Sequence, residues 1–230
     1  MKKIVGSMSE WSGVLKDLFR QINDGSISLD QMQSFLEHRN PFEPGASENY
    51  ADLINDWQKF YLDVFGMETD FSNLQIPKKQ KGFDRLIIVA QGITPQKLYD
   101  KCAELFFTRN WMSGDLNKIV ISDRTAENGS YAIWVRDRVE ADKELKNLSA
   151  DQLKEKNISG ITLEERLLYE LKFFKETGKH LDIDNVTLCS GSRYGDGRVP
   201  SGHWIDDKMR VSWSHADRAS GHLRSRQVVS

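Results

Sequence analysis

A glycine-rich loop with two arginines, residues 190–198, is the part of this sequence whose residue types best suit a ligand site. It follows the apolar run 186–189. Arg193 and Arg198 carry guanidinium groups, which bind phosphate and carboxylate oxygens through paired hydrogen bonds. Glycine-rich backbone can turn its N–H groups toward the same anion. The loop therefore predicts anion binding, and the alternative is a surface loop whose glycines only make turns.

Basic residues continue to the end of the sequence, where residues 190–230 hold seven lysines and arginines against four aspartates. Trp204 and Tyr194 add aromatic faces on which nucleotide bases stack. This pattern favours a nucleic-acid- or phosphate-binding protein that uses an arginine- and glycine-rich surface. The predicted contacts are four arginines: Arg193, Arg198, Arg224 and Arg226.

Two other functions remain open. One is an enzyme acting on a small anionic substrate, in which the loop 190–198 holds the anion and a carboxylate from residues 123–142 does acid–base work. It requires the two segments to share a cleft. The other is a protein-interaction module that docks through the N-terminal helices and exposes Trp11, Phe19 or Phe35.

Other chemistry finds little support in the residue pattern. Only three residues separate Cys189 from Arg193, where the phosphatase loop needs five. His203 and His215 fall far apart along a predicted hairpin, and no zinc-type ligand spacing occurs, so we expect neither a metal nor a cofactor. Cys102 and Cys189 lie in apolar contexts, which predicts two buried thiols.

Composition narrows the class of protein. The chain has 230 residues, a net charge of −2 and 39% hydrophobic residues, so nucleic-acid binding would need a local basic patch. Its apolar runs are far shorter than the roughly 20 residues of a membrane span. No apolar stretch follows Lys2 and Lys3, which predicts no secretion signal and a cytoplasmic protein without membrane contact. A protein partner or a homo-oligomer stays open.

The predicted fold class is α+β. An N-terminal helical hairpin comprises a helix over 9–23 and a second beginning at Ser28, and the breaker 40–45 ends it. We predict two domains, residues 1–44 and residues 45–230. The second holds a mixed sheet with packed helices and a C-terminal antiparallel hairpin.

Local signals place the elements of the larger domain. A strand over 85–91 precedes a helix that begins with Thr94 and Pro95. Strands are expected over 118–122 and 130–136. The charged segment 139–156 is predicted to be solvated helix and loop. Thr162 with Glu165 forms a capping box that opens a core helix ending at Gly178. The final hairpin turns at residues 206–208.

Three segments carry a resemblance that spans nearly the whole chain: residues 85–92, 129–138 and 188–193. They resemble a family of hypothetical proteins from uncultured bacteria with small genomes. The resemblance implies a bacterial, intracellular setting. It carries over no activity, cofactor or functional residue.

Overall fold

The structure is a computed structural model that describes residues 8–27, 29–36 and 50–230. The chain forms two compact units, residues 1–52 and residues 53–230. Helices and strands alternate irregularly along the second unit, and its sheets are mixed or antiparallel. The predicted α+β class is therefore confirmed. The predicted domain boundary after residue 44 lies outside the described residues.

The first unit contains the helices α1 (Met8–Asn23) and α2 (Leu29–Leu36). After α1 the chain turns at Gly25, whose φ of 78° suits glycine. Ser28, predicted to open the second helix, lies outside the described residues. Trp11 and Phe19 are 45% and 62% exposed, although both belong to the apolar face of α1. The docking-module hypothesis expects such exposure and stays a prediction.

Five further α-helices, one 3₁₀ helix (Lys143–Leu145) and nine strands follow within the described residues 50–230. The helices are α3 (Ala51–Phe65), α4 (Pro95–Leu105), α5 (Leu116–Ile119), α6 (Ala150–Glu155) and α7 (Leu163–Thr177). The strands are β1 (Arg85–Val89), β2 (Thr108–Asn110), β3 (Val120–Ser122), β4 (Tyr131–Val135), β5 (Val186–Leu188), β6 (Ser192–Tyr194), β7 (Val199–Ile205), β8 (Lys208–Ser214) and β9 (Leu223–Arg224). The strand expected over 118–122 is thus only partly correct, because Asp115 caps a helical turn there.

The strands form three sheets. The largest has the order β2-β8-β7-β5-β9, in which β2 and β9 run parallel to their neighbours. β1 pairs with β4, and β3 pairs with β6, both antiparallel. The predicted hairpin is β7–β8, with His203 opposite Arg210. Asp206 and Asp207 have φ of 50° and 56°, as a two-residue hairpin turn with right-handed twist requires.

Helix α7 is the central element, because it packs against α4, β1 and β7. Its N-terminus is the predicted capping box, in which Thr162 and Glu165 each bond the other's backbone N–H. Gly178 ends it in the left-handed conformation. Every residue from Leu163 to Lys172 is buried, including five charged ones. Those of them that stay ionised need partners inside the protein.

Asp182 supplies the main partner. One carboxylate oxygen accepts from Arg226 Nη2 at 2.7 Å and from the Ala141 N–H at 2.9 Å. The other accepts from Arg166 Nε at 2.8 Å and from the Thr187 hydroxyl at 2.6 Å. Burial would raise the pKa of Asp182, but the two guanidiniums hold that pKa below its usual value. The carboxylate therefore stays ionised at the centre of the second unit.

The charged segment 139–156 is solvated only in part, because its charged side chains are mostly exposed while several other residues are buried. Ala141, Asp142, Leu145 and Leu153 are all buried. Asp142 accepts hydrogen bonds from Arg136 at 2.5 Å and from the Gln227 N–H at 2.8 Å. These buried residues pack within the second unit. Both hydrogen bonds of Asp142 go to its Oδ2, and its Oδ1 has no partner among the described residues.

We expect Asp182→Asn to destabilise the protein by about 3 kcal/mol or more, because two buried guanidiniums lose their shared counter-charge. Chemical denaturation monitored by circular dichroism measures this. Asp196→Asn is the control, since Asp196 pairs with Arg198 in a solvent-exposed turn and such pairs contribute little. Equal losses in the two variants would contradict the role assigned to Asp182.

Candidate functional site

The four predicted arginines do not form one solvent-facing set. Arg226 is 1% exposed, and its guanidinium donates to Asp182 and to the carbonyl oxygens of Arg138 and Val139. A guanidinium whose donors are used by buried protein acceptors has none left for phosphate. This correction removes Arg226 from the predicted contact surface.

The other two arginines near the C-terminal hairpin and the two aromatic rings also contact groups within the protein. Arg224 is half-buried and reaches the Ala141 carbonyl at 3.4 Å. Arg198 donates to Asp196 at 2.7 Å and lies over the ring of Trp213. Tyr194 is 2% exposed, and Trp204 stacks on His180. Tyr194 therefore offers no free face for base stacking, and one face of Trp204 is covered by His180.

Arg193 is the predicted residue that lines a pocket. We call this feature the serine–arginine pocket, a polar pocket of about 170 Å³. Its polar lining consists of Asp123, Lys154, Ser159, Ser190 and Arg193, with Gly160 between them. The loop 190–198 and the segment 123–142 therefore share a pocket, which is the geometry that the small-anion hypothesis required.

Strand pairing brings these residues together. β3 pairs with β6, and the Asp123 N–H continues that ladder to the Gly191 carbonyl at 2.9 Å. Gly191 in turn donates its N–H to the Ile161 carbonyl at 3.0 Å. A Cβ on Gly191 would lie 2.5 Å from the Gly160 carbonyl oxygen, so only glycine permits this approach. The serine–arginine pocket is thus fixed by backbone contacts on two sides.

Hydrogen bonds orient the polar side chains of this pocket. Arg193 Nη1 donates to the carbonyls of Ser190 and Ser192, each at 2.8 Å. The Ser225 hydroxyl donates to the Leu188 carbonyl, and the Ser190 and Ser225 hydroxyl oxygens are 2.8 Å apart. The structure gives no protein partner to Arg193 Nε or Nη2 among the described residues. Those donors are available to an acceptor in the pocket.

A second pocket, which sequence reasoning missed, lies at the N-terminal end of α7. We call it the Glu164 pocket; its volume is about 410 Å³. Gly92 and Thr94 line it from the start of α4, Ser122 from β3, and Glu127 from the loop after β3. Glu164 itself is 2% exposed, and its Oε1 has no hydrogen-bond partner among the described residues.

The environment of Glu164 changes its protonation. Burial raises the pKa of Glu164 to about 8, and the adjacent Glu165 carboxylate adds to that shift. At neutral pH the carboxyl is therefore mostly protonated. A strongly shifted carboxyl that lines a pocket is typical of functional sites. Acidic residues are common in the first turn of helices, where they are usually solvated, so the sequence carried no signal for this one.

Nucleophilic and metal chemistry gain no support from the described residues. Cys102 and Cys189 are both buried, as predicted, and burial raises the pKa of the Cys189 thiol to about 12. A thiol with so high a pKa is a poor nucleophile. Across residues 8–27, 29–36 and 50–230, no three His, Cys, Asp or Glu side chains cluster as metal ligands would.

Comparison with known proteins adds no functional assignment: no protein-family model, curated protein or solved structure matches the chain. The resemblance to bacterial hypothetical proteins stays a prediction. Of the helices in the part of the chain that the structure describes, none has the length and apolar character needed to cross a membrane.

We expect Glu164→Gln to stabilise the protein at pH 8 by up to about 4 kcal/mol and to change little at pH 5. The folded protein holds the Glu164 proton more tightly than the unfolded chain does. Wild-type stability therefore falls as pH rises from about 4.5 toward 8, and the neutral amide removes that dependence. Thermal unfolding across this pH range measures it, with the exposed Glu127→Gln as control. Parallel curves for wild type and Glu164→Gln would contradict the assignment.

Proposed function

We propose that the protein binds a small molecule through an anionic group, phosphate or carboxylate, in the serine–arginine pocket. The observation that carries the proposal is Arg193, fixed on one side by two carbonyl oxygens and lining a pocket beside Lys154 and two serines. Guanidinium donors held in place in this way bind anions with little loss of side-chain freedom.

The size and charge of this pocket support a small anion. Its volume of about 170 Å³ lies below the ~300–1,000 Å³ of pockets for drug-sized ligands, so it suits one functional group. Arg193 and Lys154 outnumber the single carboxylate of Asp123. Asp123 can accept a hydrogen bond from a ligand hydroxyl or amine next to the anionic group. An enzymatic role for it stays a hypothesis.

Nucleic acid is a less favoured ligand. Extended binding of nucleic acid needs several exposed cations and free aromatic faces along one surface. Arg226 is buried, Arg198 is paired with Asp196, and Tyr194 is buried. A small anion bound in the serine–arginine pocket is therefore favoured over nucleic acid bound along an extended arginine-rich surface.

Arg193→Met should weaken binding of inorganic phosphate about 10-fold or more, because a charge-assisted hydrogen bond is worth about 1.5–3 kcal/mol. Titration with phosphate, followed by NMR shifts of backbone amides, measures the Kd. Arg198→Met is the matched control, an arginine of the same loop outside the pocket, and it should leave the Kd unchanged.

Lys154→Met is a second test, since Lys154 is exposed and makes no contact that orders the loop. It should also weaken phosphate binding. Equal effects of Arg193→Met and Arg198→Met, or no saturable phosphate binding, would contradict the proposal. Tight, steeply salt-dependent binding of a single-stranded oligonucleotide that both arginine variants weaken would favour a nucleic-acid-binding protein instead.

A further inference from the structure

The Glu164 pocket is a separate cavity with different chemistry. Its lining includes two carboxyl groups, from Glu127 and Glu164, and no lysine, arginine or histidine. Ile93, Pro95 and Val120 add an apolar wall. Its volume of about 410 Å³ lies within the ~300–1,000 Å³ range of small-molecule sites. An anion is therefore a poor fit, and a small ligand with an apolar portion and a positive charge is a good one.

The helix N-terminus beside this pocket does not change that conclusion. The first N–H groups of α4 already have acceptors within the protein: Gln96 N donates to Asn117 Oδ1, and Lys97 N donates to Thr94 Oγ1. Pro95 has no N–H to donate. The N–H groups of Gln96 and Lys97 are therefore not available to an anionic ligand at this end of α4.

Among the described residues, Glu164 is a buried group of the pocket wall whose Oε1 has no hydrogen-bond partner. A buried carboxyl oxygen with no hydrogen bond costs free energy that a ligand donor recovers. The neighbouring carboxylate of Glu165 has partners, because it accepts hydrogen bonds from Arg124 Nε at 2.7 Å and from the Thr162 N–H at 2.8 Å. Of the two adjacent carboxyls, only Glu164 is left to bind a ligand.

We infer that the Glu164 pocket binds a small organic cation, whose ammonium group replaces the proton on the Glu164 carboxyl. The negative charge of Glu165 that favours protonation of Glu164 also attracts a cation. Thr94, Ser122 and Thr125 supply hydroxyl oxygens around it as further acceptors. The inference does not depend on the serine–arginine pocket.

The charged groups near the pocket include one lysine outside its lining, because Lys97 Nζ donates to the Gly92 carbonyl at 2.9 Å. Glu165, the residue after Glu164 in α7, is paired with Arg124. Glu127 lines the pocket from the loop after β3. Tyr131 of β4 and Tyr61 of α3 also interact with Glu164, and burial raises the pKa of both phenols far above neutrality. Near pH 7 the pH dependence of binding is therefore set by Glu164.

Titration with n-butylamine tests the inference. This amine stays protonated between pH 6 and 9, since its pKa is close to the lysine value of about 10.4. Followed by NMR shifts of amides near Gly92 and Ala126, its affinity should rise about tenfold from pH 6 to 7 and level off above pH 8, as Glu164 ionises. n-Butanol, of equal chain length, should bind more weakly at pH 8.

Two variants identify the carboxyl responsible. Glu164→Gln should abolish the rise of affinity with pH and weaken amine binding at pH 8, while Glu127→Gln should keep the rise. At pH 8 the Glu164→Gln variant is expected to be more stable than the wild type, so a loss of binding at that pH would not reflect unfolding. Circular dichroism of the variant checks that it is folded. The inference is overturned if n-butylamine shows no saturable binding, if its affinity falls as pH rises, if n-butanol binds as well, or if Glu127→Gln alone removes binding.

Discussion

The second unit depends on the buried carboxylate of Asp182. It joins α7 through Arg166, β5 through Thr187, the segment 139–156 through Ala141, and the stretch after β9 through Arg226. Two buried guanidiniums without counter-charges would cost several kcal/mol each, so both depend on Asp182. Arg166 also donates to the Glu170 carboxylate, and Arg226 also donates to two carbonyl oxygens. The position of α7, and hence of its N-terminal carboxyls, follows from this cluster.

The segment 122–125 separates the two pockets, because its residues line one or the other in turn. Ser122 and Thr125 line the Glu164 pocket, whereas Asp123, between them, lines the serine–arginine pocket. Basic groups gather on one side of this segment and carboxyls on the other. A net charge of −2 over the whole chain therefore conceals a local separation of charge. The linings of the two cavities therefore differ in charge.

The sequence was most informative where structure is decided within a few residues. The caps at Thr94 and Thr162, the stop at Gly178 and the turn at Asp206 were all foreseen, because each is a local hydrogen-bond or backbone preference. Pairing between distant segments carries no such local signal, so the parallel placement of β2 and β9 was missed. The same limit applies to the site: Arg193 was identified by its loop, but the burial of Arg226 and Glu164 is decided by residues far away in the chain.

Arg226 is synthesised long after Asp182, the carboxylate with which it pairs. Asp182 and Arg166 are translated first, and the second guanidinium arrives some forty residues later, roughly 2–9 s at ~5–20 residues per second. Residues 225–229 also complete contacts to Leu188 and to the edge of β4 at Trp134. The nascent chain on the ribosome therefore holds this domain incompletely closed, with a partly compensated charge in its interior. Closure of the domain therefore waits for residues 225–229, and until then the domain exposes apolar surface of the kind that chaperones bind.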